Sequence, residues 1–181
     1  MPSDFPPALE RLNVTQAVRG AFAALLGEAH EYLVAGLLMR MGFLVSVITV
    51  RGGSFDIILP AFKDFSNEVK PRELLRVQVK TIRNSLSFVG GQRGGVDRIY
   101  RSDVKTYKYT TEHSDLIIGV DVKTLDLYFV PTRFIGIWGG SVSKNKLKPL
   151  KNNVDILLNW NESYLHAVQS QLGGTGKPRE L

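Results

Sequence analysis

Apolar residues near the N-terminus recur at steps of three and four residues, which is the spacing of one face of an α-helix. They are Val18, Phe22, Leu25, Ala29, Tyr32, Leu33 and Leu37. The pattern predicts a helix over residues 13–41 that ends at Gly42. Gly20 and Gly27 fall inside this helix and predict a bend or a division into two, because an interior glycine costs about 1 kcal/mol relative to alanine.

Beyond Gly42 the apolar pattern takes the period of β-strands. Runs rich in β-branched and aromatic residues predict strands at residues 43–50, 55–59, 74–81, 116–120 and 127–130, with a further candidate at 86–89. Residues 97–110 are polar and ambiguous, and a short helix is one interpretation of them. A final helix is predicted over residues 161–172. This order predicts a mixed α/β (α+β) fold in which helices flank a central sheet.

The 181 residues are predicted to form one domain over residues 13–172, between a flexible Pro-rich arm at 1–12 and a flexible Gly-rich tail at 173–181. No apolar run approaches the roughly 18 residues that span a bilayer, and no signal sequence opens the chain, so no membrane partner is expected. The sequence has no cysteine. Its absence excludes disulfide-linked partners and thiolate metal sites, and it fits an intracellular, cytoplasmic protein.

Positive charge is concentrated in one quarter of the chain. The formal net charge is +6, from 23 basic and 17 acidic residues, and residues 63–108 alone hold 11 basic against five acidic side chains. A basic segment of this kind is typical of proteins that bind a polyanion, most often nucleic acid. A solvated basic face is the alternative.

Three groups of polar residues interrupt apolar segments, where an unpaired charge is costly to bury. Gln78 and Lys80 alternate with valines and therefore share one face of a strand, which is either its solvent side or a functional face. Asp56 opens an apolar strand after a Gly-Gly turn, as a turn cap or as a ligand. Glu28 and Glu31 lie three residues apart on one helix face, where a solvent-exposed pair is the default interpretation.

Together these groups are what a Mg²⁺-dependent phosphodiesterase requires. Mg²⁺ takes oxygen ligands and keeps several waters, so two or three side-chain oxygens suffice to hold it. The ion polarises a phosphate oxygen and activates a bound water, while a nearby lysine offsets the charge that develops on the phosphorus.

The order of the groups resembles the PD-(D/E)XK nuclease superfamily over about residues 27–131. The similarity is carried by Met-Gly-Phe at 41–43, Ser-Phe-Asp at 54–56 and LRVQVKT at 75–81, followed by two apolar strands. The QVKT form is most similar to the homing endonucleases associated with group I introns. Archaeal Holliday junction resolvases are also similar, but usually have Glu where this chain has Gln78. The resemblance implies a restriction-endonuclease-like core and a metal-dependent DNA endonuclease, homing- or restriction-like, that hydrolyses phosphodiester bonds.

The resemblance also implies roles for individual residues. Asp56 and Glu31 would be the metal-binding acids, Gln78 would take the place of a third acid, Val79 would offer its carbonyl oxygen, and Lys80 would be the catalytic lysine. The expected ion is Mg²⁺, with Mn²⁺ as a substitute. Glu28 is the second choice to Glu31 as the helix ligand. Because Gln78 is neutral, the site is expected to bind metal more weakly, or to hold one ion rather than two.

A second acid-x-Lys pair, Asp121 and Lys123, follows Asp115 by only six residues. Six residues cannot hold a strand, a turn and a returning strand, so this pair is rejected as the site. Residues 121–126 are instead predicted to form a hairpin turn.

The expected substrate is DNA, contacted by basic residues that follow the lysine strand: Arg83, Arg93, Arg98, Arg101, Lys105 and Lys108. Cutting two strands or two junction arms requires two active sites, so a homodimer or homotetramer is expected. Apolar residues 134–138 and 154–160 are candidates for its interface or for the core. The alternatives are a Holliday junction resolvase and a non-catalytic DNA-binding protein with a nuclease fold.

Overall fold

A five-stranded sheet flanked by helices organises the part of the chain that the structure, a computed structural model, describes: residues 11–50, 53–61, 73–91 and 106–172. The helices in these residues are α1 (Arg19–Arg40), α2 (Asp155–Leu158) and α3 (Glu162–Leu172), and two 3₁₀ segments span Thr132–Ile137 and Lys144–Leu150. The strands are β1 (Ser46–Val47), β2 (Ile57–Ala61), β3 (Glu73–Ile82), β4 (Ser85–Ser87), β5 (Val89–Gly91), β6 (Thr106–Lys108), β7 (Leu116–Asp121), β8 (Leu127–Pro131) and β9 (Ser141–Ser143).

The central sheet is mixed, with strand order β1-β2-β3-β7-β8. Only β3 and β7 pair in parallel among these neighbours, and the other pairs are antiparallel. Every residue of β7 is buried, because this apolar strand has a neighbour on each side and is covered on both faces. The predicted mixed α/β architecture with a central sheet is therefore confirmed.

The helix α1 begins later than predicted. Residues 13–18 are not helical, and Asn13 and Gln16 have positive φ angles of 53° and 56°, which interrupt a right-handed helix. The predicted end is correct, because Gly42 has a φ of +93° and donates to the Met39 carbonyl at 2.9 Å. Phe43 N–H donates to the Leu38 carbonyl at 3.0 Å, so the helix closes in a Schellman motif. The helix runs unbroken through Gly20 and Gly27.

Along α1, four buried residues lie on the side that packs mainly against β3: His30, Val34, Ala35 and Leu38. Other apolar side chains of the helix are exposed, among them Leu25, Tyr32 and Met39. By length and composition alone α1 is apolar enough to cross a bilayer, with mean hydropathy 1.3, which qualifies the expectation that the chain has no such segment. Core helices of folded domains have the same property.

Several predicted boundaries and elements differ from the structure. The run at 43–50 contributes only the two residues of β1, and residues 86–89 contribute to two strands, β4 and β5, that pair with β9 and β6. Part of the ambiguous stretch, Thr106–Lys108, is a strand rather than a helix. The short helix α2 was not predicted, whereas the final helix lies one residue from its predicted start. The predicted tail and most of the predicted arm lie outside the described residues.

The apolar segments 134–138 and 154–160 belong to the core. Phe134, Ile156 and Leu157 are fully buried, and the Trp138 ring stacks on Phe88 with centroids 5.9 Å apart. Of the two interpretations of these segments, the structure supports core packing over an interface between copies.

Gly119 is required by close packing at the centre of the sheet. A Cβ atom there would lie 2.3 Å from Cδ1 and 2.9 Å from Cγ1 of Ile82, a fully buried side chain. We expect Gly119→Ala to lower the free energy of unfolding by about 1–3 kcal/mol, the usual effect of overpacking. The matched control is Gly36→Ala on the exposed side of α1, where a Cβ meets nothing within 4 Å. That variant should gain up to about 1 kcal/mol. Urea unfolding midpoints that move in the same direction would contradict the packing argument.

Candidate functional site

Asp56 lies just before β2 and is held against β3 by hydrogen bonds. Its N–H donates to the Val77 carbonyl at 2.8 Å. Its carboxylate oxygen Oδ2 accepts from the Val79 N–H at 2.7 Å and also from the side-chain amide of Gln78. The antiparallel register that pairs Ile57 with Val77 places the carboxylate there, so the side chain is fixed by the sheet itself.

Gln78 is buried and has partners on both ends of its amide. Nε2 donates to Asp56 and to the Val79 carbonyl, the latter at 3.1 Å. Oε1 accepts from the hydroxyl of Tyr109 at 2.9 Å. As the amide lies here, its nitrogen faces Asp56 and its oxygen faces Tyr109.

Lys80 follows Gln78 by two residues on β3, and the two side chains therefore share a face of the sheet. Lys80 Nζ lies 4.7 Å from the centroid of the Tyr109 ring, within the range of a cation–π contact. The ammonium is also close enough to lower the pKa values of both Asp56 and Glu31, although other effects on those acids outweigh it.

Glu31 reaches the same place from α1. Burial raises its pKa to about 7, assisted by the negative charges of Asp56 and Glu28 and opposed by Lys80. Glu31 is partly buried, whereas Glu28 is exposed. Burial also raises the pKa of Asp56, and this exceeds the opposing influence of its hydrogen bonds and of Lys80.

Glu31, Asp56, Gln78 and Lys80 are therefore brought together from α1, from the residue preceding β2, and from β3. Burial raises the pKa of both carboxylates, and the negative charge of Asp56 adds to the rise at Glu31, so a cation bound by both would be favoured. Within the described ranges, no three His, Cys, Asp or Glu side chains form a metal-binding group. A divalent cation here would thus rely on two carboxylates together with amide or carbonyl oxygens, a donor set that suits Mg²⁺.

Other charged residues of the basic segment have different surroundings. Arg83 and Lys108 are exposed, and Arg83 lines a groove of about 390 Å³ beside α1. The predicted contacts Arg93, Arg98, Arg101 and Lys105 lie outside the described residues. Arg76, by contrast, is a structural residue: its guanidinium donates to the Asp115 carboxylate at 2.8 Å and to the carbonyls of residues 111 and 112.

The rejected pair at Asp121 and Lys123 has a structural role. Asp121 is buried, accepts from Lys144 Nζ at 2.6 Å and caps the hairpin by accepting from the backbone N–H of Lys123 at 2.9 Å. Lys123 is exposed, so the two side chains do not converge.

Tyr109 is a residue of the site that the sequence did not single out. The tyrosines interleaved with the basic residues suit either stacking on nucleic acid or packing in the core, and in the structure Tyr109 is buried and touches both Gln78 and Lys80. Burial raises the pKa of Tyr109, which keeps its hydroxyl protonated and able to donate. The available signal was the alternation of Tyr107 and Tyr109, which turns both rings to one side of an extended segment.

The raised pKa of Glu31 leads to a prediction about stability. A carboxyl whose pKa is higher in the folded state than its usual 4.5 binds more protons when folded, so its contribution to stability falls as the pH rises from about 4.5 to about 7. We expect Glu31→Gln to melt at a higher temperature than the parent at about pH 8 in EDTA, and at nearly the same temperature at about pH 4.

Thermal unfolding of the two proteins across this range measures the difference. The lowered pKa of buried His30 destabilises the fold as pH falls, but it affects both proteins and cancels in the comparison. A Glu31→Gln variant that melts lower than the parent at about pH 8 would show that the carboxylate is not repelled.

Comparisons with known proteins identify a solved structure with a similar fold. No protein-family model matches the chain, and no curated protein matches it in sequence. Among solved structures, the chain is similar to the bacterial homing endonuclease I-Ssp6803I, with a TM-score of 0.59 and 15% sequence identity. The similarity covers 76% of this chain and 93% of that one. At this identity the likeness is one of architecture, and the chain has the fold of that endonuclease over most of its length.

Proposed function

We propose that this protein is a metal-dependent DNA endonuclease of the PD-(D/E)XK type. The observation that carries the proposal is the convergence of Glu31, Asp56, Gln78 and Lys80 from three separate segments of the chain. The likeness of the fold to a bacterial homing endonuclease adds support.

In this proposal Glu31 and Asp56 hold Mg²⁺, or Mn²⁺ in its place, with oxygens of Gln78 and Val79 completing the protein's share of ligands. A bound ion would supply Lewis acidity toward the phosphate and toward a water nucleophile at neutral pH. Lys80 would orient that water and offset the charge that develops on the phosphate. Hydrogen bonds to the backbone of β3 keep Asp56 in a fixed position, as transition-state stabilisation requires.

DNA contacts are proposed for the exposed Arg83 and Lys108, together with Arg93, Arg98, Arg101 and Lys105. Phosphate contacts by such residues release counterions, so the affinity for DNA should fall steeply as salt increases. Double-strand cleavage requires two of these sites, and a homodimer or homotetramer of an intracellular protein is part of the proposal.

The test is nicking of supercoiled plasmid by the purified chain with Mg²⁺, with Mn²⁺ and with EDTA. We expect cleavage with either ion and none in EDTA. Adding a linear duplex and a four-way junction as substrates separates a homing- or restriction-like enzyme from a junction resolvase. Cleavage that persists in EDTA would contradict the metal-dependent mechanism.

One observation favours a second candidate, a DNA-binding protein without nuclease activity. The amide nitrogen of Gln78 faces Asp56 and occupies hydrogen-bonding capacity that a metal would use. Salt-sensitive DNA binding with no cleavage under any metal condition would support this candidate over the endonuclease.

A further inference from the structure

Tyr109 touches two of the four candidate site residues from one position. Its hydroxyl donates to Gln78 Oε1 at 2.9 Å, and its ring lies 4.7 Å from Lys80 Nζ. The residue is 5% exposed, and it comes from the far end of a chain segment that separates β3 from β7.

The Tyr109 ring is itself held in place. The backbone N–H of Tyr109 donates to the Phe88 carbonyl at 2.9 Å. The ring packs edge-to-face on the rings of Tyr107 and His113, with centroids 5.4 Å and 6.0 Å away. The Ser54 hydroxyl donates to the His113 carbonyl at 3.0 Å, which ties this cluster to the turn before Asp56. These contacts therefore fix the position of the ring against which the Lys80 ammonium lies.

We propose that Tyr109 is a positioning residue of the metal site, whose hydroxyl sets the orientation of the Gln78 amide and whose ring fixes the Lys80 ammonium. The inference rests on the proposed function. It adds a residue to that site and explains how a neutral glutamine serves where an acid is usual.

The amide of Gln78 must present its oxygen, not its nitrogen, to a cation held by Asp56. In this structure the oxygen faces Tyr109, so binding requires the amide to turn over. A tyrosine hydroxyl can both donate and accept a hydrogen bond. Tyr109 donates to the oxygen in the present orientation and accepts from the nitrogen in the other. The present orientation already gives the nitrogen two acceptors, Asp56 and Val79, whereas a cation on those oxygens would leave Tyr109 as the acceptor that remains. Loss of the hydroxyl therefore penalises the turned, metal-binding orientation more, because a buried N–H is left without a partner.

The ring has a separate task. An ammonium near an aromatic face is attracted by the negative charge of that face, and this limits the positions that the flexible lysine side chain can take. Tyr109→Phe keeps the ring and removes the hydroxyl, whereas Tyr109→Leu removes both. The two variants therefore separate the effect on Gln78 from the effect on Lys80.

The first measurement is the affinity of the full chain for Mn²⁺, by electron paramagnetic resonance of the free ion. We expect Tyr109→Phe to weaken Mn²⁺ binding by about tenfold, comparable to the loss of other groups that orient a metal ligand. In a Gln78→Ala background the same substitution should have no further effect, because the amide it orients is gone. Tyr128→Phe, which removes the hydroxyl of another buried tyrosine, is the control and should bind Mn²⁺ as the parent does.

The second measurement is the single-turnover cleavage rate at saturating Mn²⁺. Tyr109→Phe should recover the parental rate, since saturation compensates weaker binding, whereas Tyr109→Leu should stay about tenfold or more below it because Lys80 is no longer held. Parental Mn²⁺ affinity in Tyr109→Phe, or a loss that adds fully to that of Gln78→Ala, would overturn the inference. If Asp56→Asn also leaves the Mn²⁺ affinity unchanged, the proposed metal site itself is refuted. If Asp56→Asn weakens Mn²⁺ binding and Tyr109→Phe does not, only the role of Tyr109 is refuted.

Discussion

Asp56→Asn is expected to lower the cleavage rate by about 10²- to 10³-fold or more, because it removes one of the two negative charges proposed to hold the metal. The substitution is well matched to the structure. The single oxygen Oδ2 accepts both hydrogen bonds, from Val79 N–H and from the Gln78 amide, and the oxygen of an asparagine can accept both as well.

The same variant is expected to fold at least as stably as the parent when metal is absent. Burial raises the pKa of Asp56, so ionisation of this group destabilises the folded state at neutral pH, and a neutral asparagine removes that cost. Loss of cleavage and of Mn²⁺ binding with an unchanged or higher melting temperature in EDTA is the expected pattern. Asp155→Asn, on the exposed α2 residue Asp155, is the charge-matched control. Asp56→Asn that cleaves at the parental rate would remove Asp56 from the site.

Lys80→Met is expected to lower the cleavage rate by a similar factor, about 10²- to 10³-fold, while the protein still binds Mn²⁺ at high pH. Methionine keeps most of the aliphatic length of the side chain but has no charge, so the cation–π contact with Tyr109 is lost as well. Because Lys80 lowers the pKa values of Glu31 and Asp56, its removal should raise both, so Mn²⁺ binding becomes more sensitive to acid.

The matched control for Lys80 is Lys108→Met. Lys108 is exposed on β6. Loss of its charge should weaken DNA binding and make the DNA affinity less dependent on salt. The single-turnover cleavage rate at saturating protein should not change. If both lysine variants lose rate equally, or neither does, then Lys80 contributes no more to the chemical step than a surface lysine.

The sequence predicted the centre of the sheet well because its strands are continuous apolar runs, which are recognised as buried strands. The strand at residues 116–120 lies inside β7, and that at 127–130 inside β8, each within one residue of the observed ends. A continuous apolar run between turn residues has few alternatives to a buried strand. The convergence of Glu31, Asp56 and Lys80 was predictable only through the order of the motifs, because no periodicity tells which helix face meets which strand.

Features that depend on which other part of the chain a segment pairs or packs with were not predictable from the sequence. The residues at 86–91 form strands, but their pairing with β9 and with β6 is set by chain segments far away in sequence. The role of Tyr109 stayed undecided for the same reason, because a tyrosine among lysines suits both a nucleic-acid contact and the core until the element that it packs on is known. The start of α1 was missed because the positive φ angles at Asn13 and Gln16 leave no trace in the hydrophobic pattern.

The parallel pairing of β3 with β7 has a consequence for how the protein folds. Antiparallel β2 and β3 lie next to each other in the sheet and in chain order, so Asp56 and Gln78 meet early. The parallel neighbour β7 follows β3 in the chain only after residues 83–115, and closing so long a connection is entropically slow. Because Tyr109 lies between these two strands in the chain, we expect its contacts with Gln78 and Lys80 to form only after β3 and β7 have paired.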